Sequence, residues 1–418
     1  MKQILKTGTE ILRKAKTSVQ SYWVRIKPAF KKYGDLLLFV LALGVLIAIP
    51  VKRTGGKVTV QTTPPSIVFT QWWQDNLDKK TLLDLAGEFE SLHNDIKIII
   101  KDRAYEDLWN DLFNPGENNF PGDVLALDPL WVPDLLKREM IEQCDETPLL
   151  SFINVLYYNV EILKEAGFTR PPKNRGEFTN YLMAICAKDK SREGFFLDSN
   201  NSRGIYDDVF PWIWSAGAQL IKDGKPSVNS RQVVESLSFL ASLDKEDLIF
   251  FGGKNVNKLE YFISGRVAFM IAPSSDIAIV RECMGEEAFG ISSIPSPVNY
   301  AGKAFFASMG WTAGVNSSSV HKEEAQLFLE FLAEKAASLS EKVHAISGNG
   351  FPPSAQDPFY SKVWDIVIAA EEAHDFSGLP WTELEEIFNE NLSALFAEKI
   401  TPVEAANEIQ ESWEKIIK

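Results

Sequence analysis

Between residues 66 and 127 the chain alternates short apolar strands with amphipathic helices, and this alternation restricts the fold more than any other feature. Strands are predicted at residues 67–70, 96–100 and 123–127, and the helices between them at residues 78–93 and 105–113. Strands that are apolar on both faces and alternate with helices are typical of a parallel sheet covered on both sides. The sequence therefore predicts an α/β fold whose ligands bind beyond the carboxyl ends of the strands.

Helical patterns dominate the remainder of the chain. Amphipathic spacing predicts helices up to Gly167, from about Gly176, and over residues 231–243, 321–332, 359–372, 381–398 and 402–416, with strands at 267–271 and 289–294. Thr401 and Pro402 are residue types favoured at the N-cap and at the first position of a helix, so the last helix is expected to begin there.

An uncharged stretch at residues 36–51 is the only apolar segment of membrane length. At about 1.5 Å per residue it covers most of a hydrocarbon core of roughly 30 Å. Nine basic residues precede it against two acidic ones, so the positive-inside bias predicts a single-pass membrane protein with a cytoplasmic N-terminus. Cleavage as a signal peptide is the alternative, but no small-x-small site follows the stretch. The sequence favours an uncleaved anchor at residues 36–53.

Charge is divided unevenly along the chain. Residues 1–53 hold eleven basic and two acidic groups, which leaves 32 basic and 55 acidic residues after Arg53, a formal charge of −23. Binding of nucleic acid requires a concentrated basic surface, so nucleic acid is not expected as a partner. The residues after Arg53 are numerous enough for two lobes with separate cores.

Motifs for metal, cofactor or catalytic chemistry are absent from the sequence. Cys144, Cys186 and Cys283 are widely spaced, the four histidines occur singly, and Gly252-Gly253-Lys254 lacks the upstream glycine of a phosphate-binding loop. We therefore expect no metal, cofactor or disulfide, and no enzymatic activity. A glycosidase would need two carboxylates flanking one bond, and an envelope hydrolase is retained only as a third hypothesis.

Several segments resemble extracellular solute-binding proteins of ABC transporters, in particular the carbohydrate-type family that includes maltose-binding protein. The most characteristic is LYYNVEILKEAGFTRPPKNRGEF at residues 156–178, which is similar to the family's aliphatic-Tyr-Asn, helix, Ala-Gly, Pro-Pro-Lys signature. The others follow in the family's order: WSAGAQLIKDGKPSVNS (214–230), FISGRVAFM (262–270), SMGWTAGVN (308–316) and GNGFPPS (348–354). The resemblance extends over residues 66–418.

This resemblance implies a two-lobe periplasmic-binding-protein fold of the class II type, with a central ligand cleft and one transmembrane helix before it. The expected divisions are a basic cytoplasmic segment (1–35), a transmembrane anchor (36–53), a linker (54–65), lobe 1 (66–147 with 305–352) and lobe 2 (148–304 with 353–418). The return of residues 305–352 to the first lobe follows from the resemblance alone.

Sugar-binding clefts combine aromatic platforms with carboxylates and amides that bind hydroxyl groups. Ten of the eleven tryptophans follow Arg53, and several lie in loops expected to face the cleft. The candidates are Trp72, Trp73 and Asp75 after the first strand, Asp128 and Trp131 after the third, Tyr206, Asp207 and Trp212 in lobe 2, Trp311 in the Gly-containing strand, and Trp381 at the start of a tail helix. Core packing is the alternative for each aromatic, and it is the expectation for Trp109, Trp364 and Trp413.

Two positions depart from the family pattern. After FISGRVAFM, where relatives place an aromatic, the chain has Ala272-Pro273-Ser274-Ser275, so one stacking platform is missing. The Pro-Pro-Lys signature continues with Asn174-Arg175-Gly176-Glu177 instead of Thr-Trp-Asp-Glu. Both differences bear on the ligand more than on the fold.

The leading hypothesis is a membrane-anchored, extracytoplasmic solute-binding protein of the bacterial cytoplasmic membrane. It would capture a small solute, expected to be a sugar or oligosaccharide, by closing its lobes, and deliver it to the permease subunits of an ABC importer. The alternative keeps the fold but makes the protein a ligand sensor or envelope scaffold without a role in transport.

Overall fold

A computed structural model describes residues 64–114, 121–142, 149–198, 204–252, 256–306, 308–347, 357–373, 376 and 378–417. Fourteen strands are assigned within these ranges. They are β1 (Ser66–Gln71), β2 (Lys97–Asp102), β3 (Val124–Leu127), β4 (Leu150–Asn159), β5 (Glu193–Leu197), β6 (Ile221–Lys222), β7 (Lys225–Pro226), β8 (Ile249–Phe251), β9 (Val267–Pro273), β10 (Phe289–Ser292), β11 (Phe305–Phe306), β12 (Ser308–Val315), β13 (Ile346–Ser347) and β14 (Glu371–Glu372).

Thirteen α-helices are assigned within the same ranges. They are α1 (Lys79–Leu92), α2 (Tyr105–Phe113), α3 (Val132–Lys137), α4 (Val160–Glu165), α5 (Arg175–Lys188), α6 (Phe210–Ser215), α7 (Arg231–Lys245), α8 (Lys258–Ile263), α9 (Ile277–Met284), α10 (Lys322–Lys342), α11 (Pro358–Ala369), α12 (Trp381–Phe396) and α13 (Pro402–Ile416). Helix α13 has the predicted bounds and starts with a capping box between Thr401 and Glu404. Helix α10 is ten residues longer at its C-terminal end than predicted.

One sheet of ten strands runs through the molecule in the order β2-β1-β3-β12-β4-β9-β5-β8, with β10 and β13 also paired to β4. Strand β1 is parallel to β2 and to β3, which confirms the predicted parallel unit. Strand β12 is antiparallel and pairs with β3 through Thr312–Val315 and with β4 through Ser308–Trp311. Strands β4 and β12 therefore connect the two halves of the sheet.

The first lobe has one core, formed around strands β1, β3 and β12. Phe69 and Trp73 from the first strand and its loop pack with Phe89 of α1, Trp311 of β12 and Phe328 of α10. The packing of Phe328 shows that α10, which follows β12 in the chain, lies against the first strands. The β12–α10 segment thus belongs to this core.

The second lobe covers the other half of the sheet on both faces. Along β4, Leu156 faces the larger core, with Phe178, Trp212 and Trp413. Its neighbour Tyr157 faces the opposite core with Phe289 and Phe359. This alternation follows the two-residue repeat of a strand. Trp413 is fully buried as predicted, whereas Trp109 and Trp364 are half-buried.

The predicted anchor, the cytoplasmic segment and nearly all of the predicted linker lie outside the described residues. In the ranges that the structure does describe, no helix is both long and apolar enough to cross a membrane. The boundaries proposed for the two lobes remain predictions.

Candidate functional site

The two lobes face each other at the carboxyl ends of β1 and β3, and side chains from both lobes meet there. Asn76 Nδ2 donates to Asp276 Oδ1 over 3.1 Å, and Thr382 Oγ1 donates to Asp134 Oδ2 over 3.4 Å. Leu130 packs against the cores of both lobes. These contacts locate the interlobe face, which is where ligands bind in a sheet of this topology.

Trp72 and Trp73 follow β1 in a tight turn. Gln71 Oε1 accepts a hydrogen bond from Trp73 N at 2.7 Å, and a 3₁₀ turn over Trp73–Asp75 follows. The backbone at Trp72 has φ −120° and ψ 9°, so it is not extended as the continuation of a strand would be. Both indoles are buried, with 6% and 1% exposure. The side chain of Asp75 lies outside the described residues.

Trp311 joins these two residues in one aromatic cluster. Its ring is stacked on Trp73 with centroids 5.0 Å apart, and it meets the edge of Trp72 at 6.0 Å. Trp311 is on β12 and also contacts Phe152 of β4, the strand that leads to the second lobe. Trp73 and Trp311 therefore form the inner layer of this cluster.

Tyr105, at the start of α2, connects the two loops and was not among the sequence candidates. Its ring meets Trp72 at 5.0 Å and Trp131 at 4.7 Å, and its hydroxyl donates to Asp128 Oδ2 over 2.8 Å. The other oxygen of Asp128 accepts from Leu130 N at 3.0 Å. Among the described residues, Asp128 is therefore held by a donor on each side, and five of the candidates (Trp72, Trp73, Asp128, Trp131 and Trp311) form a single group in the first lobe.

The indole N–H of Trp72 has no acceptor among the described residues, and neither has that of Trp73. A buried donor without a partner costs about 1–3 kcal/mol. Such a group in a native structure calls for a bound water or ligand as its acceptor. Trp72 is the more exposed of the two residues, and its ring contacts both Tyr105 and Trp311.

In the second lobe, Tyr206 and Trp381 lie together with ring centroids 5.5 Å apart. The residue after Trp381, Thr382, contacts the first lobe, and the residue after Tyr206, Asp207, contacts β4. Asp207 accepts a hydrogen bond from Asn154 of β4 at 3.4 Å, and Thr382 bonds to the first lobe as described above. Asn154, a polar residue within an apolar strand, is the sequence signal that could have identified this position.

Tyr206 and Asp207 lie in a single π-helical turn, Ile205–Val209, that runs into α6. Pro211 follows it and has no N–H to donate to the preceding turn. Such π turns occur frequently at functional sites. The widened turn sets the positions of these two candidates.

Asp208 belongs to the same turn. Its side chain is fully buried and forms an ion pair with Lys258 of α8. Its Oδ1 accepts from Lys258 Nζ at 2.6 Å and its Oδ2 from Asp198 N at 2.6 Å. Burial raises the pKa of Asp208 to about 7, with the Lys258 ammonium opposing the rise. The carboxylates of Asp208, Asp207 and Asp198 raise the pKa of Lys258 against the effect of burial. The ion pair anchors the π turn to α8.

Trp212 lies apart from the other candidates. It is fully buried among Phe178, Phe195 and Phe239, and none of these rings belongs to the interlobe face. Arg175, one of the two departures from the family pattern, donates to the carbonyl oxygen of Trp212, and burial lowers its pKa to about 10. This departure therefore lies in the core of the second lobe.

The other departure lies at the interlobe face. Ser274 donates to the carbonyl oxygen of His344 over 2.8 Å, and a 3₁₀ turn over Ser274–Asp276 presents Asp276 to Asn76. Ser274, Ser275 and the carboxylate of Asp276 thus lie in the segment where the family pattern has an aromatic residue.

The chemistry of the interlobe face follows from these groups. The described polar side chains that meet across the lobes are Asp134 with Thr382 and Asp276 with Asn76. Asp128 lies at the carboxyl end of β3 in the first lobe, and Asp207 pairs with Asn154 in the second. Carboxylates accept hydrogen bonds, and amides both donate and accept them. A face of this composition can bind hydroxyl groups, and its aromatic borders on both sides can contact apolar surface.

Two α/β lobes that meet at such a face define a cleft-type binding protein. Comparison with known proteins agrees with this class. The chain belongs to the family of bacterial extracellular solute-binding proteins, whose model matches residues 70–338, more than half of the chain. A curated relative from Deinococcus radiodurans, a "Probable ABC transporter-binding protein", is 23% identical over 276 residues. The match covers 61% of this chain and 64% of that relative.

Solved structures show the same fold. The GacH receptor of Streptomyces glaucescens, solved without ligand and with acarbose, has a TM-score of 0.71 at 18% identity and covers 84% of this chain and 98% of its own. Maltose-bound MalE3 of T. maritima has a TM-score of 0.68 at 18% identity, with 84% and 99% covered. UgpB of Mycobacterium tuberculosis, in complex with glycerophosphocholine, reaches 0.71 at 14% identity, with 84% and 98% covered.

Proposed function

We propose that this protein is the membrane-anchored solute-binding component of an ABC importer and that its solute is a neutral carbohydrate. The solute would bind between the lobes, against Trp72, Trp131 and Asp128 on one side and Tyr206 and Trp381 on the other. The observation that carries the proposal is the interlobe face, where carboxylates and amides are bordered by aromatic residues of both lobes. Similarity to GacH and MalE3, which bind acarbose and maltose, supports it.

The charges at the interlobe face favour a neutral solute over an anionic one. Asp134 and Asp276 make hydrogen bonds across the lobes with neutral partners, Thr382 and Asn76. Carboxylates in these positions would repel a phosphate or carboxylate ligand, because like charges brought together out of water are unfavourable. The hydroxyl groups of a sugar, in contrast, donate to carboxylates and accept from amides.

A thermal-shift screen of the full chain against sugars, polyols and oligosaccharides tests the choice of solute. A bound solute stabilises the folded state by RT ln(1+[L]/Kd), about 2.7 kcal/mol at a hundredfold excess over Kd. We expect a neutral saccharide to raise the melting temperature. Glycerophosphocholine, the ligand of UgpB, serves as the comparison compound, and stabilisation by it without a response to saccharides would contradict the proposal.

Membrane attachment rests on the sequence of residues 36–53 and their basic flank. We expect fractionation of the native host to place the full-length chain in the membrane, with residues after 53 accessible to protease from outside. Recovery of a soluble form that begins near residues 52–60 would show cleavage and contradict the anchor.

Delivery to an importer is tested by uptake. A strain that lacks this protein should lose uptake of the saccharide found in the screen, and the full-length chain should restore it. If the protein binds the saccharide but uptake does not depend on it, the sensor hypothesis is favoured over transport.

A further inference from the structure

A cavity of about 540 Å³ lies in the second lobe, away from the first-lobe side of the interlobe face. Its described lining residues come from α6, from β10 and the segment that leads toward β12, and from α11 and Ala370, with Asn154 of β4 and Lys173 of the loop before α5. None of them belongs to residues 64–142, which supply the first-lobe face. Pockets for small molecules usually have volumes of about 300–1,000 Å³, so this cavity could hold one.

The interior of the cavity is mainly apolar. Pro211 and Trp214 of α6 are buried, and Ile294, Phe305 and Ile366 are half-buried in its walls. Aromatic and aliphatic side chains of this kind are typical of small-molecule sites. The cavity would therefore accept the apolar part of a ligand.

The segment that forms one wall is fixed in place. Tyr300 packs on Gly217, where an added Cβ would lie 1.8 Å from its hydroxyl oxygen, and its hydroxyl donates to Lys303 O over 2.8 Å. Farther along, β11 pairs with β14, and Lys303 Nζ lies 2.8 Å from Glu371 Oε1. The cavity is thus largely preformed, which favours binding because little ordering is required.

Two lysines, Lys173 and Lys362, line the cavity. Within the described part of the chain, no carboxylate lies within 4.0 Å of either ammonium group, and Asp365 is the only acidic residue in the described lining. Both side chains are exposed, so the two ammonium groups lie at the mouth of the cavity and not in its interior. Neither ammonium group forms an ion pair within 4.0 Å among the described residues, although Glu177 is close enough to Lys173 for the two charges to attract.

We propose that this cavity binds an amphipathic organic anion, with its ring or chain against Trp214 and Phe305 and its carboxylate, sulfonate or phosphate group paired with Lys173 and Lys362. Apolar walls alone would accept a neutral molecule equally well. The two lysines at the mouth favour an anion because they attract its charged group. The cavity shares Asn154 with the region of the proposed carbohydrate site, but neither lysine belongs to that site.

Titration of the full chain with 8-anilinonaphthalene-1-sulfonate, an aromatic sulfonate that fluoresces in apolar surroundings, tests the proposal. We expect saturable binding of one dye per chain. The Lys173→Gln/Lys362→Gln variant should bind at least tenfold more weakly, and Ala369→Trp, which fills the cavity from an exposed position of α11, should abolish saturable binding. The matched control is Lys245→Gln/Lys399→Gln, which removes two lysines that line another cavity and should bind as wild type does.

Three results would overturn the proposal: dye affinity within twofold of wild type in the double glutamine variant, unchanged binding in Ala369→Trp, or equal affinity for the neutral dye N-phenyl-1-naphthylamine. Circular dichroism melts would verify that each variant is folded. Saccharide binding should be unchanged in the double glutamine variant. If no saccharide binds the wild type while the dye behaves as expected, the proposed function fails and the anion site stands.

Discussion

Asn76 in the first lobe donates its side-chain amide to Asp276 in the second over 3.1 Å, although 200 residues separate them in the chain. This hydrogen bond must break when the lobes move apart, because its two partners belong to different lobes. The same is true of Thr382 and Asp134. The two bonds therefore stabilise the arrangement in which the lobes are together, and a solute that binds both lobes favours the same arrangement.

Replacing Asn76 with Ala should weaken solute binding without unfolding the protein. One hydrogen bond contributes about 0.5–1.5 kcal/mol, which corresponds to a two- to tenfold loss of affinity. Calorimetry with the saccharide found in the screen measures the change. Asn391→Ala is the control, since the side chain of Asn391 bonds, within the described ranges, to Ile387 O of its own helix alone. Equal affinities for the wild type and the Asn76 variant would show that this bond does not contribute to closure.

Trp72→Phe should reduce affinity while leaving stability almost unchanged. The substitution keeps an aromatic ring against Tyr105 and Trp311 but removes the N–H that has no acceptor among the described residues. If the solute supplies the acceptor, we expect a loss of about five- to tenfold in affinity, in the range of one hydrogen bond. Thermal melts and calorimetry together separate the two effects.

Trp73→Phe provides the matched comparison. Trp73 is 1% exposed and stacked on Trp311, so a smaller ring leaves a cavity and lowers stability by about 1–3 kcal/mol. Its affinity for the solute should stay within twofold of wild type. The opposite result, in which only the Trp73 variant loses affinity, would identify the inner indole as the contact residue.

The secondary structure was predicted well where neighbouring residues alone specify the start or end of an element. Thr401, Pro402 and Glu404 lie within one turn and specify the start of α13 on their own. The last ten residues of α10 were missed because their apolar spacing is weak, and Ala336 and Leu339 are buried only through packing with the rest of the lobe. The C-terminal end of α10 is therefore determined by tertiary contacts, which cannot be inferred from a single sequence.

The site could be predicted only in part, for the same reason. Loops after β1 and β3 were identified because the carboxyl ends of parallel strands share one edge of the sheet. The orientation of Trp72 and Trp73 depends on Gln71, whose side chain sets the turn that follows. The hydrogen bond between Asn76 and Asp276 had no sequence signal, because neither residue type nor spacing relates two positions in different lobes.

Trp212→Phe should lower stability and leave binding intact. Trp212 is fully buried in the second-lobe core, against Phe178 and Phe195. A smaller ring at this position should cost about 1–3 kcal/mol through the cavity it leaves. Denaturant unfolding gives the free energy of unfolding, and calorimetry gives the affinity. A tenfold loss of affinity with unchanged stability would place Trp212 in the site after all.

The ion pair between Asp208 of the π turn and Lys258 predicts that the free energy of unfolding depends on pH. Burial raises the pKa of Asp208 in the folded state to about 7, above the value of about 3.9 for an exposed Asp. Between these two values the folded state binds the proton more tightly than the unfolded state does. The contribution of Asp208 to the free energy of unfolding is therefore largest below about pH 4 and declines as the pH rises toward 7.

Lys258→Met should extend this decline to higher pH, with a slope still limited to the one proton that Asp208 binds. Without the ammonium group 2.6 Å away, the pKa of Asp208 rises further, because the cation that favours its charged form is gone. Breaking a buried ion pair from one side typically costs 3–5 kcal/mol, and we expect a loss of about this size at pH 8 and a much smaller one at pH 5, where Asp208 is protonated in the variant. Urea unfolding at the two pH values measures both. The double variant Asp208→Asn/Lys258→Met has no carboxylate to titrate, so its free energy of unfolding should lack the decline between pH 5 and pH 8 that Asp208 contributes. If the single variant also behaves identically at pH 5 and pH 8, Asp208 is not the group that titrates.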